Sequence, residues 1–209
     1  MTARVTVVDY GIGNLHSVVK ALRHEGAVVS IAGDATGVAA ADRLVVPGVG
    51  AFADGMRGLS DRGLVEPIQR YAESGRPLLG ICLGMQLLLG ESDEFGTTEG
   101  LSIVPGRVIE IRREPGFKVP QIGWNRIYPA TGADWAGTIL ESIEPGAMVY
   151  FVHSFTAVPA RNEDRLADAT YAGQQISAAV HRGNVWGCQF HPEKSGPTGL
   201  GILRTFLAG

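Results

Sequence analysis

The sequence predicts an α/β fold with a mixed, mainly parallel central sheet. Over the first half of the chain, short β-branched or apolar segments alternate with helix-like segments, a pattern typical of parallel strands joined by helices. Over the second half, short β-like segments follow one another between Pro-Gly and Gly-Asn turns, a pattern typical of β hairpins. No linker or internal repeat divides the 209 residues, so we expect a single domain spanning 1–209.

The first half supplies the predicted parallel strands. They are expected over Arg4–Val8, Ala27–Ala32, Arg43–Val46 and Pro77–Ile81. The last of these is a continuous apolar run, the kind that is buried on both faces of a parallel sheet. Helices are predicted over Leu15–Glu25, Leu64–Ser74 and Leu83–Leu89. Asn14 is a suitable N-cap for the first helix, and Gly26 is a suitable end.

The second half supplies shorter β segments and one terminal helix. The segments are Val104–Ile111, Gly123–Tyr128, Met148–Thr156, Leu166–Tyr171, Ile176–His181 and Val185–Phe190. The helix is predicted over Leu200–Leu207. These segments would extend the parallel sheet with antiparallel strands and hairpins.

Composition argues against several classes of protein. Apolar residues make up 45% of the chain and charged residues 19%, as in ordinary globular proteins, and the net charge of -3 disfavours binding to nucleic acid or anionic membranes. No apolar run approaches the roughly 18 residues of a membrane span, and no basic region followed by an apolar block marks a secretory signal. Two cysteines are too few for a disulfide framework or a zinc site. We therefore expect a cytoplasmic protein that uses neither membrane nor nucleic acid.

The stretch Gly80–Gln86 (GICLGMQ) places Cys82 between a buried strand and a helix. A sharp turn of this kind lifts a nucleophile out of the sheet, and small neighbours allow close approach of the substrate. The backbone N–H of Leu83 is free at the helix start and can donate to a developing oxyanion. Gln86 lies one helical turn after Cys82, on the same face. A buried structural cysteine is the competing interpretation, and it is the one we favour for Cys188, which lies inside a strand.

A base for such a nucleophile is found in Phe190–Gly196 (FHPEKSG). In an extended segment, residues two apart point to the same side, so His191 and Glu193 would face one site. A carboxylate beside a histidine holds its tautomer and stabilises the imidazolium. The alternative is a surface histidine next to a solvated carboxylate. No pattern typical of a metal site is present.

A third motif, Pro47-Gly48-Val49-Gly50, follows a predicted strand. Glycines on both sides of Val49 permit unusual backbone angles. A loop at the carboxyl edge of a parallel strand can direct N–H groups at a ligand. An ordinary turn is the alternative.

Taken in order, these three motifs strongly resemble those of the class I (triad) glutamine amidotransferases. The finer details are similar to those of the glutaminase subunits of imidazole glycerol phosphate synthases, enzymes of histidine biosynthesis. Those details are Asp9–Asn14, Pro47–Phe52, Gly123–Asn125, Tyr150–Phe155 and His191–Gly196. The resemblance covers essentially the whole chain, with one minor departure at Ile122, where methionine is expected. It implies a three-layer, flavodoxin-like α/β fold with helices on both sides of the sheet.

The resemblance also implies a role for each matching residue. Cys82 would attack the side-chain amide of glutamine, His191 would act as general base and then as acid, and Glu193 would orient His191. The thioester on Cys82 would then be hydrolysed to glutamate, without a metal or organic cofactor. The positions implied in oxyanion stabilisation or glutamine binding are Val49, Gly50, Leu83, Gln86, Ser154 and Phe155.

The same resemblance implies a partner. Ammonia would pass to a cyclase subunit, a (β/α)8 barrel bound in a one-to-one heterodimer, which would form imidazole glycerol phosphate and aminoimidazole carboxamide ribotide. Asn14, Trp124 and Lys194 belong to motifs that lie near the cyclase interface in that family. From the residues alone, they are also explained as a helix cap, a core aromatic residue and a solvated ammonium group.

Three other functions stay open at the level of sequence. The chain could serve another synthase, for instance in anthranilate or guanine nucleotide synthesis. It could be a cysteine hydrolase that acts alone on γ-glutamyl peptides. It could also be a binding module that has kept the fold and lost the chemistry, although the presence of Cys82, His191 and Glu193 argues against this.

Overall fold

A computed structural model describes residues 2–209. The strands, in chain order, are β1 (Arg4–Val8), β2 (Val28–Ala32), β3 (Leu44–Gly48), β4 (Leu78–Cys82), β5 (Glu91–Ser92), β6 (Thr98–Glu99), β7 (Gly106–Glu110), β8 (Gln121–Arg126), β9 (Tyr128–Pro129), β10 (Met148–His153), β11 (Phe155–Pro159), β12 (Arg165–Tyr171), β13 (Gln174–Arg182) and β14 (Val185–Cys188). The α-helices are α1 (Leu15–His24), α2 (Ala35–Ala39), α3 (Phe52–Asp61), α4 (Val65–Glu73), α5 (Leu83–Leu87) and α6 (Gly196–Ala208). Short 3-10 turns cover Asn162–Asp164 and Pro192–Lys194.

An eight-stranded sheet with the order β2-β1-β3-β4-β14-β13-β12-β9 forms the centre of the molecule. The first five strands in this order pair in parallel, and the remaining pairs are antiparallel. The parallel part follows the strand order of flavodoxin-like sheets, with β14 in the place of the fifth strand. The predicted α/β class, with a mixed and mainly parallel sheet, is confirmed.

Two hydrophobic clusters cover the opposite faces of this sheet. Successive residues of β3 alternate between them: Val45 belongs to one cluster, and Leu44 and Val46 belong to the other. The first cluster includes side chains of α1 and α6, and the second includes side chains of α3, α4 and α5. All residues of β3 and β4 are buried. The result is the three-layer arrangement that the family resemblance implies, and it agrees with the burial of the apolar strands on both faces of the sheet.

The predicted helix boundaries agree with the structure where a capping residue marks them. Asn14 accepts a hydrogen bond from the Ser17 N–H at 3.4 Å and caps α1, as expected. Helix α6 begins at Gly196, four residues before the predicted Leu200; the glycines and proline of its first turn have low helix propensity, and the prediction therefore placed the start too late. The prediction missed α2 and α3. Helix α3 contains Gly55 and Gly58, which lower helix propensity, so packing of its buried face stabilises it rather than composition.

The predicted segment Met148–Thr156 is wrong as a single strand. The strand is interrupted at Ser154, and its two halves belong to different sheets. Strand β10 pairs with β8, with Tyr150 opposite Trp124, in a two-stranded sheet. Strand β11 pairs with β7 in a four-stranded sheet.

None of the helices formed by residues 2–209 is both long and apolar enough to cross a membrane.

The crossing of α5 over β3 requires a glycine at position 84. A Cβ atom there would overlap the carbonyl oxygen of Val46. We expect Gly84→Ala to lower the free energy of unfolding by about 3 kcal/mol, since the contact is with backbone that cannot move aside. The measurement is urea denaturation followed by circular dichroism.

Gly201→Ala is the matched control, because it also lies within a helix. A Cβ at Gly201 meets its neighbours at 3.5 Å or more, an ordinary contact. It should therefore be neutral or stabilise by up to about 1 kcal/mol through helix propensity. Equal stability of the two variants would contradict this account of the crossing.

Candidate active site

A cavity of about 300 Å³ lies at the carboxyl end of β3 and β4. This volume is at the lower end of the range for small-molecule sites, and it suits a ligand the size of an amino acid. The side chains that line it come from six separate parts of the chain: Val49, Gly50, Cys82, Leu83, Gln86, Glu94, Pro120, Val152, His153, Ser154, Phe155, His191 and Lys194. The fold thus brings together every residue that the sequence suggested for oxyanion stabilisation or glutamine binding.

Cys82 ends β4 and stands immediately before α5 with φ 54° and ψ -112°. A positive φ is costly for a residue with a Cβ, and such strain is found at sharp strand-to-helix turns that carry a nucleophile. The side chain is buried apart from the face that lines the cavity. Its sulfur lies 3.7 Å from the carbonyl oxygen of Val152 and 3.9 Å from the side-chain nitrogen of Gln189. The predicted corner at Cys82 is therefore present.

His191 and Glu193 form a buried pair beside this sulfur. The Nδ1 of His191 lies 2.8 Å from Oε1 of Glu193, and their side chains are only 4% and 1% exposed. The extended backbone predicted for this segment is wrong. Residues Pro192–Lys194 form a 3-10 turn rather than an extended strand, and the tight turn brings the carboxylate back to the imidazole.

The backbone around His191 is held against β10. The N–H of His191 donates to the carbonyl of Tyr150 at 2.9 Å. The hydroxyl of Ser195 donates to the carbonyl of His191 at 2.6 Å and accepts from the N–H of Tyr150 at 3.0 Å. Three hydrogen bonds thus fix the position of the imidazole relative to the two-stranded sheet.

The pKa of His191 is raised to about 9. Burial acts in the opposite direction and lowers it, but hydrogen bonding and attraction from Cys82 and Glu193 outweigh burial. At neutral pH the ring therefore holds a proton between two groups that can carry negative charge. A protonated imidazole next to a sulfur is able to stabilise a thiolate and to donate to a leaving group.

The loop after β3 is anchored at both ends and exposed between them. At its start, Tyr10 donates its hydroxyl proton to the carbonyl of Pro47 at 2.6 Å. At its end, the N–H of Phe52 donates to Oε2 of Glu94 at 2.6 Å. Between these anchors, Gly50 has φ 98° and Val49 is 39% exposed. The peptide that joins Val49 to Gly50 thus lies directly at the cavity.

Gly48 places this loop against the nucleophile. It pairs in register with Cys82 across β3 and β4. A Cβ at this position would overlap the Tyr10 hydroxyl and lie 2.8 Å from the Cβ of Leu83. Only glycine fits at this contact, so the loop and the helix start can approach the same ligand atom.

The far side of the cavity is built around the carbonyl of Phe155. It accepts hydrogen bonds from Nε2 of Gln86 at 3.0 Å and from Nδ1 of His153 at 2.8 Å. The carbonyl can only accept, so Nδ1 of His153 must carry a hydrogen. The other ring nitrogen, Nε2, lies 3.1 Å from the end of the Gln121 side chain; in the neutral ring Nε2 can only accept, so the Gln121 amide must turn its N–H toward it. Burial lowers the pKa of His153 to about 4, against the raising effect of the Phe155 carbonyl, so the ring is neutral at pH 7.

Several residues at or next to the site were given no role by the sequence, although some of them lie inside the motifs quoted above. They are Tyr10, Glu94, Pro120, Gln121, Val152, His153 and Gln189. Glu94 and Pro120 lie in loops with no pattern of their own, and only the fold brings them near Cys82. For Gln189, a polar residue inside an apolar segment beside His191 was a usable signal.

The three residues assigned to a partner surface lie in different positions. Lys194 is exposed and lines the cavity, whereas Asn14 and Trp124 do not line it. Asn14 caps α1. Trp124 is 52% exposed and packs edge-on against Tyr150, with ring centroids 5.9 Å apart. It is therefore not the core aromatic residue that the simpler interpretation expected.

Comparison with known proteins shows the family to which this chain belongs. The family model of class-I glutamine amidotransferases matches residues 6–208. The solved structure of PurLQS from Thermotoga maritima is similar in fold, with a TM-score of 0.76 at 20% identity, covering 100% of this chain and 99% of that chain. A glutamine amidotransferase from the same organism has a TM-score of 0.65 at 15% identity, covering 99% and 97%. The chain belongs to the class I glutamine amidotransferases.

Curated relatives narrow the family within that class. "Imidazole glycerol phosphate synthase subunit HisH 1" of Legionella pneumophila is 49% identical over 208 residues, covering 97% of this chain and 98% of the relative. The HisH subunit of Syntrophotalea carbinolica is 48% identical with the same coverage, and that of Gloeobacter violaceus is 45% identical over 99% of this chain and 89% of the relative. Within the class, this chain is a member of the HisH family.

His153 should make stability depend on pH. Its folded pKa of about 4 lies below the unfolded value of 6.5, so its contribution is complete above pH 6.5 and is lost as pH falls toward 4. We expect His153→Gln to reduce the slope of unfolding free energy against pH in this window, by up to about 1.4 kcal/mol per pH unit.

Urea denaturation at several pH values between 4 and 7 measures this slope. The difference between the two proteins isolates position 153, because other titrating groups are shared. Identical slopes would show that His153 is not kept neutral by the fold.

Proposed function

We propose that this chain is the glutaminase subunit of an imidazole glycerol phosphate synthase. The observation that carries the proposal is the meeting of Cys82 with the buried His191–Glu193 pair in one cavity. Membership of the HisH family, at 45–49% identity over nearly the whole chain, supports the choice of synthase. The substrate would be glutamine and the products glutamate and ammonia.

The first half of the reaction releases ammonia. Cys82, as a thiolate, attacks the amide carbon of glutamine, and the carbonyl oxygen takes up the negative charge. The imidazolium of His191 donates its proton to the amide nitrogen. The C–N bond then breaks, ammonia leaves, and a thioester remains on Cys82. Glu193 keeps the imidazole oriented through its 2.8 Å contact with Nδ1.

The second half returns the enzyme to its starting state. His191, now neutral, accepts a proton from water as the oxygen attacks the thioester carbon. The C–S bond breaks, glutamate leaves, and the proton remains on His191 beside the regenerated thiolate of Cys82. All atoms of one water and one glutamine appear as glutamate and ammonia.

The remaining assigned residues would bind the oxyanion and the substrate. The N–H of Leu83 and an N–H of the Val49–Gly50 peptide would donate to the oxyanion, since both lie at the cavity next to Cys82. Glutamine itself would be held by Gln86, Gly50 and the backbone of Ser154 and Phe155. Exposure of Val49 and the positive φ of Gly50 would allow the loop to reorient when the substrate arrives.

A partner is part of the proposal because free ammonia is protonated in neutral water and then is no nucleophile. We propose a one-to-one heterodimer with the cyclase subunit, a (β/α)8 barrel, which would convert the ammonia into imidazole glycerol phosphate and aminoimidazole carboxamide ribotide. The solvent face of β8 and β10 supports a docking role. Ile122 is 63% exposed, Trp124 52% and Met148 37%. Asn14 and Lys194 would lie near the rim of this interface.

Two further features complete the proposal. Residues 1–209 would act as one glutaminase domain, because the cavity takes side chains from both the parallel and the antiparallel parts of the fold. The cytoplasm would be its location, since Cys82 and Cys188 are free thiols and the mechanism needs Cys82 reduced.

Glutamate release from glutamine tests this function directly. We expect near-silence from the chain alone and strong stimulation when the cyclase and its nucleotide substrate are added. Cys82→Ala should abolish release in the complex while leaving the fold and cyclase binding intact. Cys188→Ala is the control, because Cys188 is completely buried, burial raises the pKa of its thiol, and it does not line the cavity.

Each other outcome favours a different function. Full activity without a partner would indicate an independent γ-glutamyl hydrolase. Capture of a different synthase would indicate another amidotransferase. Silence in all conditions would favour a binding module without catalysis.

The pH profile tests the role of Glu193. Because His191 keeps its proton up to about pH 9, kcat/KM of the complex should fall as pH rises past that value. Glu193→Gln removes the buried negative charge next to the ring and should move this limb to lower pH by about one unit or more. The ammonium group of glutamine also titrates at alkaline pH, but identically for both proteins. If kcat/KM falls at the same alkaline pH in both proteins, Glu193 has no part in the mechanism.

A further inference from the structure

Gln189 follows β14 directly and is completely buried behind the nucleophile. Its backbone N–H donates to the carbonyl of Ala178 at 2.9 Å, which fixes this part of the chain to β13. Its side-chain nitrogen lies 3.9 Å from Sγ of Cys82, and its side-chain oxygen lies 3.0 Å from Nε2 of Gln86. One buried amide thus contacts both the proposed nucleophile and a residue of the substrate cavity.

The orientation of the two glutamine amides follows from a single backbone group. The carbonyl of Phe155 can only accept a hydrogen bond, so the nitrogen of Gln86 must face it. The second hydrogen on that nitrogen is directed at Gln189, which must therefore present its oxygen. The nitrogen of Gln189 is then left to face the sulfur of Cys82. The hydrogen bond to the Phe155 carbonyl therefore determines which atom of each glutamine amide donates and which accepts.

This arrangement has two chemical consequences. Both hydrogens of the Gln86 amide are used within the protein, so its oxygen is the atom left for a ligand. That oxygen can accept a hydrogen bond from the ammonium or amide group of glutamine. At Cys82, an N–H group that faces the sulfur forms a stronger hydrogen bond with a thiolate than with a thiol, because the charged sulfur is the better acceptor.

We propose that Gln189 is a positioning residue for glutamine hydrolysis, which holds the oxygen of Gln86 toward the substrate and donates a hydrogen bond to the thiolate of Cys82. The proposal rests on the proposed glutaminase function for its substrate, but its effect on the thiolate does not. Substrate affinity and nucleophile reactivity then both depend on this one buried amide.

Two variants separate these roles. Gln189→Met has a similar shape but can neither accept from Gln86 nor donate to Cys82. Gln189→Glu can still accept from Gln86 but has no N–H for the sulfur and adds a negative charge beside it. Both are made in a Cys188→Ala background, so that Cys82 is the one thiol left in the sequence. That background without a change at Gln189 is the matched control.

Alkylation of Cys82 by iodoacetamide, followed against pH on the isolated chain, measures thiolate formation without substrate or partner. We expect alkylation at neutral pH to be about tenfold slower in both variants, with the larger effect for Gln189→Glu. In the complex with the cyclase, we expect KM for glutamine to rise about tenfold in Gln189→Met and to change little in Gln189→Glu, because only the first releases Gln86.

Unchanged alkylation profiles and unchanged KM in folded variants would overturn the proposal. If Gln189→Met does not fold, the near-isosteric Gln189→Glu is the test. An alkylation profile of Gln189→Glu that equals that of the control is then sufficient to reject the proposal. If the control complex releases no glutamate, the glutaminase function fails, while the alkylation profiles still decide whether Gln189 acts on Cys82. An active control with unaltered variants rejects only the role of Gln189.

Discussion

The close contact between α5 and β3 is the constraint on which the rest of the site depends. Gly84 lies directly against the carbonyl of Val46, and Gly48 lies against the start of the same helix. This proximity forces the chain to turn sharply at Cys82, whose positive φ costs on the order of 1–3 kcal/mol. The favourable free energy of the completely buried pairing between β3 and β4 offsets this cost. Without the two glycines the helix would stand further away, and the sulfur would not reach the cavity.

The acid–base half of the site depends on a different part of the molecule. His191 is attached to β10 through Tyr150 and Ser195, rather than to the central sheet alone. Tyr150 in turn pairs with Trp124, which is exposed on the face proposed for the cyclase. A short series of hydrogen bonds and packing contacts therefore joins the solvent face of β8 and β10 to the imidazole. A partner docked on that face would act on the backbone that positions His191.

The buried polar groups around the cavity are almost all paired, and this explains how the site keeps its shape. The carbonyl of Phe155 accepts hydrogen bonds from Gln86 and His153, and Gln189 accepts a hydrogen bond from Gln86. A buried polar network of this kind is stable only when each donor finds an acceptor, so it permits few alternative arrangements. Its members come from three stretches of the chain that are far apart in sequence, one with Gln86, one with His153 and Phe155, and one with Gln189, so no single motif contains them all.

The sequence by itself determined the fold class, the strand-to-helix corner at Cys82 and the pairing of His191 with Glu193, because each depends on local chemistry: apolar runs, small residues and short spacings. It led to a wrong reason for the pairing, since an extended segment and a 3-10 turn both bring residues two apart together. Tertiary structure alone decided that Met148–Thr156 divides between two sheets, that α3 forms despite its glycines, that Glu94 and His153 line one cavity, and that Gln189 lies behind Cys82. Those outcomes depend on contacts between distant segments, whose energies are not encoded in any one stretch of the chain.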